Sequence, residues 1–237
     1  MKLGILDAVP AKYYTDDDVV TDPERFIALL RSVNFTGEIV SFHVAEQEFP
    51  PSVDTCDAYL ITGSPATAFE SRLWIDDLKQ FIRDVYAARV PLVGICFGHQ
   101  VIAMALGGTV ETAESGWMVG LYSFDVIETP PWIGPDDLRQ KNIYHFNRDQ
   151  VINLPTDAVH LGASETCPNS MYAIGDTVFA IQGHPEMPLS AMKQYLVELK
   201  DTLPADVVEY AHQSTAANQP DVLILGTWLK AFIERDF

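Results

Sequence analysis

Positive charge is what this sequence has least of. Fifteen Lys and Arg stand against 33 Asp and Glu in 237 residues, for a formal net charge of -18. A field of that sign repels phosphate backbones and anionic membranes, so neither nucleic acid nor a membrane is expected as a partner. Long apolar runs are also missing. The longest, Val90 to Phe97, falls far below the roughly 18 residues that span a bilayer. The opening MKLGILDAVP is too short and too acidic to read as a secretory signal. Cysteine is scarce: Cys56, Cys96 and Cys167 form an odd set without metal-ligand spacing. His43, His99, His145, His160 and His212 show no mutual spacing that suggests a metal site either. No metal is therefore expected, and free thiols suit a reducing cytoplasm, the expected location. A phosphate-cradling glycine loop of the P-loop or dinucleotide type is lacking too, so no nucleotide cofactor is implied. Without repeats or low-complexity linkers, residues 1–237 read as one domain, with 190–237 a helical C-terminal extension of it.

What is present is an ordinary globular composition, 48% hydrophobic and 20% charged. Short apolar runs alternate with helical patterns, the signature of α/β architecture. Strands are expected at Leu3 to Leu6, Glu38 to Val44, Ala58 to Thr62 and Pro91 to Ile95, then at Val110 and Val119 to Ile127. Further β-type runs lie between Val159 and Gln182. Helices are expected from Asp22 to Leu30, with Asp22 as N-cap and Pro23 at the first helical position, and from Leu73 to Tyr86. Others are expected over His99 to Leu106, Leu189 to Leu199, Ala205 to His212 and Val222 to Ile233. Asp16-Asp17-Asp18 reads as a solvated loop, and Pro130-Pro131 to Pro135 as an irregular one.

The segment VPLVGICFGHQ carries the chemistry. It is a buried strand, then Gly94-Ile95-Cys96-Phe97-Gly98, then a helix. Small residues two before and two after a nucleophile permit a tight strand-to-helix turn that lifts its side chain above the sheet edge. The same turn aims the Phe97 N–H at whatever is attacked, which is half of an oxyanion hole. A helix N-terminus beneath a thiol lowers its usual pKa of about 8.5. Against this, a cysteine at a strand end is commonly a small core hydrophobe. A second segment decides between the two readings: the run Val178 to Ile181 delivers His184, with Glu186 two residues on. That supplies a base and an orienting carboxylate for a cysteine nucleophile.

GICFGHQ resembles the C-x-G-x-Q nucleophile motif of the triad class I glutamine amidotransferases, and FAIQGHPE the family's histidine- and glutamate-bearing signature. LITGSP is similar to the loop that supplies the other oxyanion donor, and Ala105 to Gly108 and Gly116 to Gly120 follow the family's course. The resemblance covers about residues 1 to 190. It implies an open, mostly parallel twisted sheet flanked by helices, of flavodoxin-like type. It also implies Cys96 as nucleophile, His184 as base and later acid, Glu186 as orienter, and the amides of Gly63 and Phe97 as oxyanion donors. Gln100 matches the motif's glutamine, which helps grip the glutamyl end of the substrate. Where the family has a histidine before a small or amide residue and an aspartate, this chain reads Phe146-Asn147-Arg148-Asp149-Gln150-Val151. Asn147 and Arg148 thus become candidate substrate-binding residues. Arg148 either recognises a substrate carboxylate or, the slightly favoured reading, pairs with surface acids.

The resemblance implies attack on the γ-carbonyl of glutamine or a γ-glutamyl compound. Three functions follow from it. The first is a glutamine amidotransferase-like protein whose synthetase, if any, is a separate chain, since the stretch after residue 190 reads as helices. The second is a γ-glutamyl peptidase or hydrolase that needs no partner. The third is a non-catalytic binding protein on the same fold, which an intact Cys96, His184 and Glu186 argues against.

Overall fold

The computed structural model describes residues 1–14, 19–134 and 139–235. The acidic run Asp16-Asp17-Asp18 and Pro135 lie outside the described residues. Five strands form a parallel half-sheet: β1 (Lys2–Leu6), β2 (Glu38–Phe42), β3 (Ala58–Ile61), β4 (Leu92–Ile95) and β11 (Val178–Ile181). Four more extend it in antiparallel fashion: β6 (Met118–Val126), β7 (Gln140–Asn147), β9 (Ala158–Ala163) and β10 (Met171–Ile174). The order is β2-β1-β3-β4-β11-β10-β9-β6-β7, and a two-stranded ribbon of β5 (Thr109–Thr112) and β8 (Asp149–Asn153) stands apart. The α/β class and its mostly parallel central sheet flanked by helices agree with the sequence reading.

Parallel strands covered on both faces are apolar throughout rather than alternating. Accordingly β3, β4 and β11 are buried at every position. Successive side chains still point to opposite faces. Along β11, Phe179 and Ile181 join the core with helices α1 (Asp22–Ser32) and α6 (Val222–Glu234), whereas Val178 and Ala180 join the core with α2 (Leu73–Ala87) and α3 (Phe97–Ala105). Gly226 of α6 permits a close approach to α1, for a Cβ there meets Leu29 Cδ1 at 2.9 Å. A third cluster seats α4 (Leu189–Glu198) and α5 (Ala205–Ala217) against β6 and β7.

Three expectations are corrected. The N-cap of α1 is Thr21, not Asp22: the Thr21 side chain accepts the Glu24 N–H and Glu24 answers at the Thr21 N–H, a reciprocal capping box. Asp22 is the first helical residue and is buried. Helix α3 begins at Phe97, two residues before the expected start. Strand β7 went unrecognised, because Lys141, His145 and Asn147 interrupt its apolar residues yet are themselves buried.

Candidate active site

The parallel strands end along one edge of the sheet, and the chemistry-bearing residues gather there. Cys96 follows β4 with φ 52° and ψ −102°, a strained conformation for a residue with a Cβ. Its glycine neighbours explain how the turn closes. A Cβ at Gly94 would lie 2.6 Å from the Gly98 carbonyl oxygen, and one at Gly98 would run into the Ile61 carbonyl of β3. Only with both side chains absent can α3 start directly above the strand ends. Among the described residues no backbone carbonyl takes the Gly63 or Phe97 N–H.

His184 follows β11, and its N–H donates to the Tyr144 carbonyl of β7 at 2.7 Å. The unrecognised strand therefore fixes the histidine's backbone. The imidazole Nδ1 lies 2.7 Å from Glu186 Oε1, with both side chains buried. Burial alone pulls the imidazole's pKa down, but Cys96 and Glu186 outweigh it and hold the pKa well above the ordinary histidine value. Gly63 makes this packing possible, since a Cβ there would stand 3.0 Å from His184 Cε1. A histidine held between a thiol and a buried carboxylate can move a proton to and from sulfur.

Gln100 lies within this cluster. Its Nε2 donates to the Asp149 carbonyl at 2.7 Å and to Gln182 Oε1 at 3.1 Å, while Gln182 Nε2 approaches Cys96 Sγ at 3.6 Å. Asn147 is buried, accepts from His145 Nδ1 at 3.0 Å and donates to the same Asp149 carbonyl at 3.2 Å. Burial lowers the His145 pKa to about 4, so this ring is neutral at pH 7 and the proton on Nδ1 serves Asn147. Arg148 is exposed, lies over the Trp117 ring at 5.6 Å, and its Nε stands 3.7 Å from Asp149 Oδ1.

Sequence reasoning missed four participants. Gln182 sat inside the motif that carried the histidine but was given no role. Asp22, read as a cap, lies beside the Gly63 loop, with Oδ2 3.8 Å from where a Gly63 Cβ would be. Arg25 pairs with Asp22 at 3.0 Å and donates to the Tyr195 hydroxyl at 2.8 Å. The i,i+3 spacing of Asp22 and Arg25 was a signal for that pair. Nothing local pointed to Tyr195. Cys56 and Cys167 are buried free thiols, and burial pushes the Cys167 pKa up to about 12. Among the described residues no group of three or more His, Cys, Asp or Glu could hold a metal ion, and no helix is long and apolar enough to cross a membrane.

An open α/β sheet bearing a strained cysteine turn and a histidine–glutamate pair at its carboxyl edge defines a class of thiol-bearing α/β protein. The model of the glutamine amidotransferase class-I family matches residues 24–201, and the chain belongs to that family. It is 30% identical to gamma-glutamyl peptidase 3 of Arabidopsis thaliana over 81% of each chain. It is 26% identical to a glutamine-hydrolyzing GMP synthase of Christiangramia forsetii over 71% of this chain and 31% of that protein. A crystal structure of a glutamine amido transferase from Methylobacillus flagellatus superposes with TM-score 0.75 at 19% identity, covering 98% of this chain and 91% of the other.

Proposed function

We propose that this chain hydrolyses the γ-amide bond of γ-glutamyl compounds through a Cys96 thioester, acting as a γ-glutamyl peptidase. The observation that carries the reading is the buried 2.7 Å pair of His184 and Glu186 acting on Cys96 at its strained turn. The similarity to gamma-glutamyl peptidase 3, which extends over 81% of both chains, favours a peptide substrate over free glutamine.

Cys96 Sγ attacks the γ-carbonyl carbon, forming a C–S bond and a tetrahedral oxyanion. The Gly63 and Phe97 N–H groups receive that oxyanion, and one such donor is typically worth about 3 kcal/mol. The C–N bond breaks as His184 passes the proton taken from the thiol to the departing nitrogen. Water then gives a proton to His184 and its oxygen to the thioester carbon, releasing glutamate and returning the proton to sulfur. Glu186 holds the imidazole's orientation throughout. Gln100, Asn147 and Arg148 border the glutamyl end of the substrate.

The similarity to GMP synthase supports a second reading, a glutaminase that supplies ammonia to a separate synthetase chain. A panel of γ-glutamyl dipeptides and glutamine, run beside Cys96→Ala, separates the two. Faster amine release from dipeptides is expected, with the variant at least 10³-fold slower and still folded. Ammonia release from glutamine alone would install the second reading. Turnover that survives Cys96→Ala would sink both.

A further inference from the structure

Gln182 is buried beside the nucleophile, and the sheet puts it there. Strands β4 and β11 run parallel with Ile95 opposite Ile181, so the next residue of each, Cys96 and Gln182, leave the sheet as neighbours. The Cys96 N–H donates to the Ile181 carbonyl at 3.0 Å and the Gln182 N–H to the Ser170 carbonyl at 2.9 Å, which fixes both backbones. The Gln182 side chain is wholly buried, and its Nε2 donates to Cys96 Sγ at 3.6 Å. Which end of that amide faces the sulfur is set from its far end. The Asp149 carbonyl can only accept, so the Gln100 group that meets it at 2.7 Å is the NH2. The same NH2 meets the Gln182 amide at 3.1 Å, so the Gln182 atom there is the oxygen. The NH2 of Gln182 is thereby turned to the sulfur. Asn147 donates to the Asp149 carbonyl as well, at 3.2 Å, and holds it in place.

We propose that Gln182 is a catalytic residue that donates a hydrogen bond to Cys96 Sγ as the sulfur leaves the thioester, and that Gln100 is the positioning residue that keeps the Gln182 amide turned this way. This inference rests on the thioester reading given above. A neutral sulfur is a weak acceptor, whereas a hydrogen bond to an ionised acceptor is roughly twice as strong as one between neutral groups. In the second half of the reaction the water oxygen bonds to the thioester carbon and a water proton passes to His184. The C–S bond then breaks, and its electron pair stays on sulfur. The Gln182 N–H meets there a negative charge that the thioester lacked, so the bond strengthens toward the transition state. Only an interaction of that kind accelerates a step. His184 afterwards returns the proton to sulfur. In the first half the sulfur gives up negative charge as it attacks, so the same bond offers no help.

The test follows formation and decay of the thioester separately, by rapid quenching and intact-mass spectrometry, with glutamine and a γ-glutamyl dipeptide as substrates. Both leave the same γ-glutamyl group on Cys96, so the decay constant does not depend on which of them the protein prefers. Gln182→Leu removes the donor at similar volume. Decay is expected to slow about tenfold or more, with formation changed by no more than about threefold. Where decay limits turnover, kcat and KM then fall together and kcat/KM holds. Gln100→Leu is expected to slow decay in the same direction but less, since it frees the Gln182 amide to turn. Unchanged decay in that variant refutes the role of Gln100. A merely structural Gln182 predicts equal losses in both steps. Unchanged decay in Gln182→Leu, or formation slowed as much as decay, overturns the proposal. Should Gln182→Leu fail to fold, Gln182→Met, equally without a donor, decides by the same two constants. If the wild type forms no thioester from either substrate, the reading of Cys96 itself fails, which is a different outcome from an unchanged decay.

Discussion

Gly63 has two features that matter to the site, and the second follows from its missing side chain. Its N–H meets no backbone carbonyl among the described residues, and a Cβ on it would stand 3.0 Å from His184 Cε1. A contact that short forces a shift of a few tenths of an ångström. The imidazole cannot give way freely, because Glu186 holds it at 2.7 Å on one side and Cys96 acts on it from another. Misplacement of a reacting group by about 1 Å can cost about 10²-fold in rate. Gly63→Ala is therefore expected to lower kcat about tenfold while shifting the melting temperature by less than about 2 °C, since its backbone φ is not in the left-handed region. Equal losses of kcat and stability would show that the alanine disturbs the strand ends rather than the histidine. Gly98 contrasts with it. A Cβ there meets the backbone of β3, which cannot rotate aside, so that glycine serves the turn itself.

Helix α1 shows how an element brings residues to the site that its own sequence does not advertise. Its start is set by the reciprocal bonds of Thr21 and Glu24, and the helix then places buried Asp22 and Arg25 one turn apart. Thr21→Ala removes the cap and is expected to cost about 1 kcal/mol of unfolding free energy, measured by urea denaturation. A loss below about 0.3 kcal/mol would mean that packing against α6 alone sets the helix start. Elements with uniform periodicity were legible in the sequence: β1, β3, β4, β11 and α2 appear where their apolar pattern puts them, to within a residue or so. The hidden ones mix polar and apolar character for structural reasons. Strand β7 buries Lys141, His145 and Asn147, so no alternation marks it. Helix α5 runs to Ala217, past its apolar stretch, because Ser214 Oγ accepts the Leu121 N–H of β6 at 3.1 Å and so ties the polar last turn to the sheet. The cysteine, histidine and glutamate were readable because each motif sits within a few residues of a strand end. The Arg25–Tyr195 bond was not, because it joins positions 170 apart in sequence.

At the scale of the molecule, the formal charge of -18 sets a condition on any substrate. Free glutamine is a neutral zwitterion at pH 7, whereas a γ-glutamyl dipeptide ending in a neutral residue carries one net negative charge. The second must approach against the protein's field, while the first feels it only weakly. Screening changes this sharply, for the Debye length falls from about 30 Å at 0.01 M to about 8 Å at 0.15 M ionic strength. Over that range kcat/KM for an anionic γ-glutamyl dipeptide is expected to rise about twofold or more, with kcat unchanged, because only the encounter is affected. The value for a γ-glutamyl amide of no net charge is expected to stay within experimental scatter. Rates that instead fall with salt for the dipeptide would mean that local cations outweigh the global field. Arg148, exposed at the rim over Trp117, would be the first of these to replace.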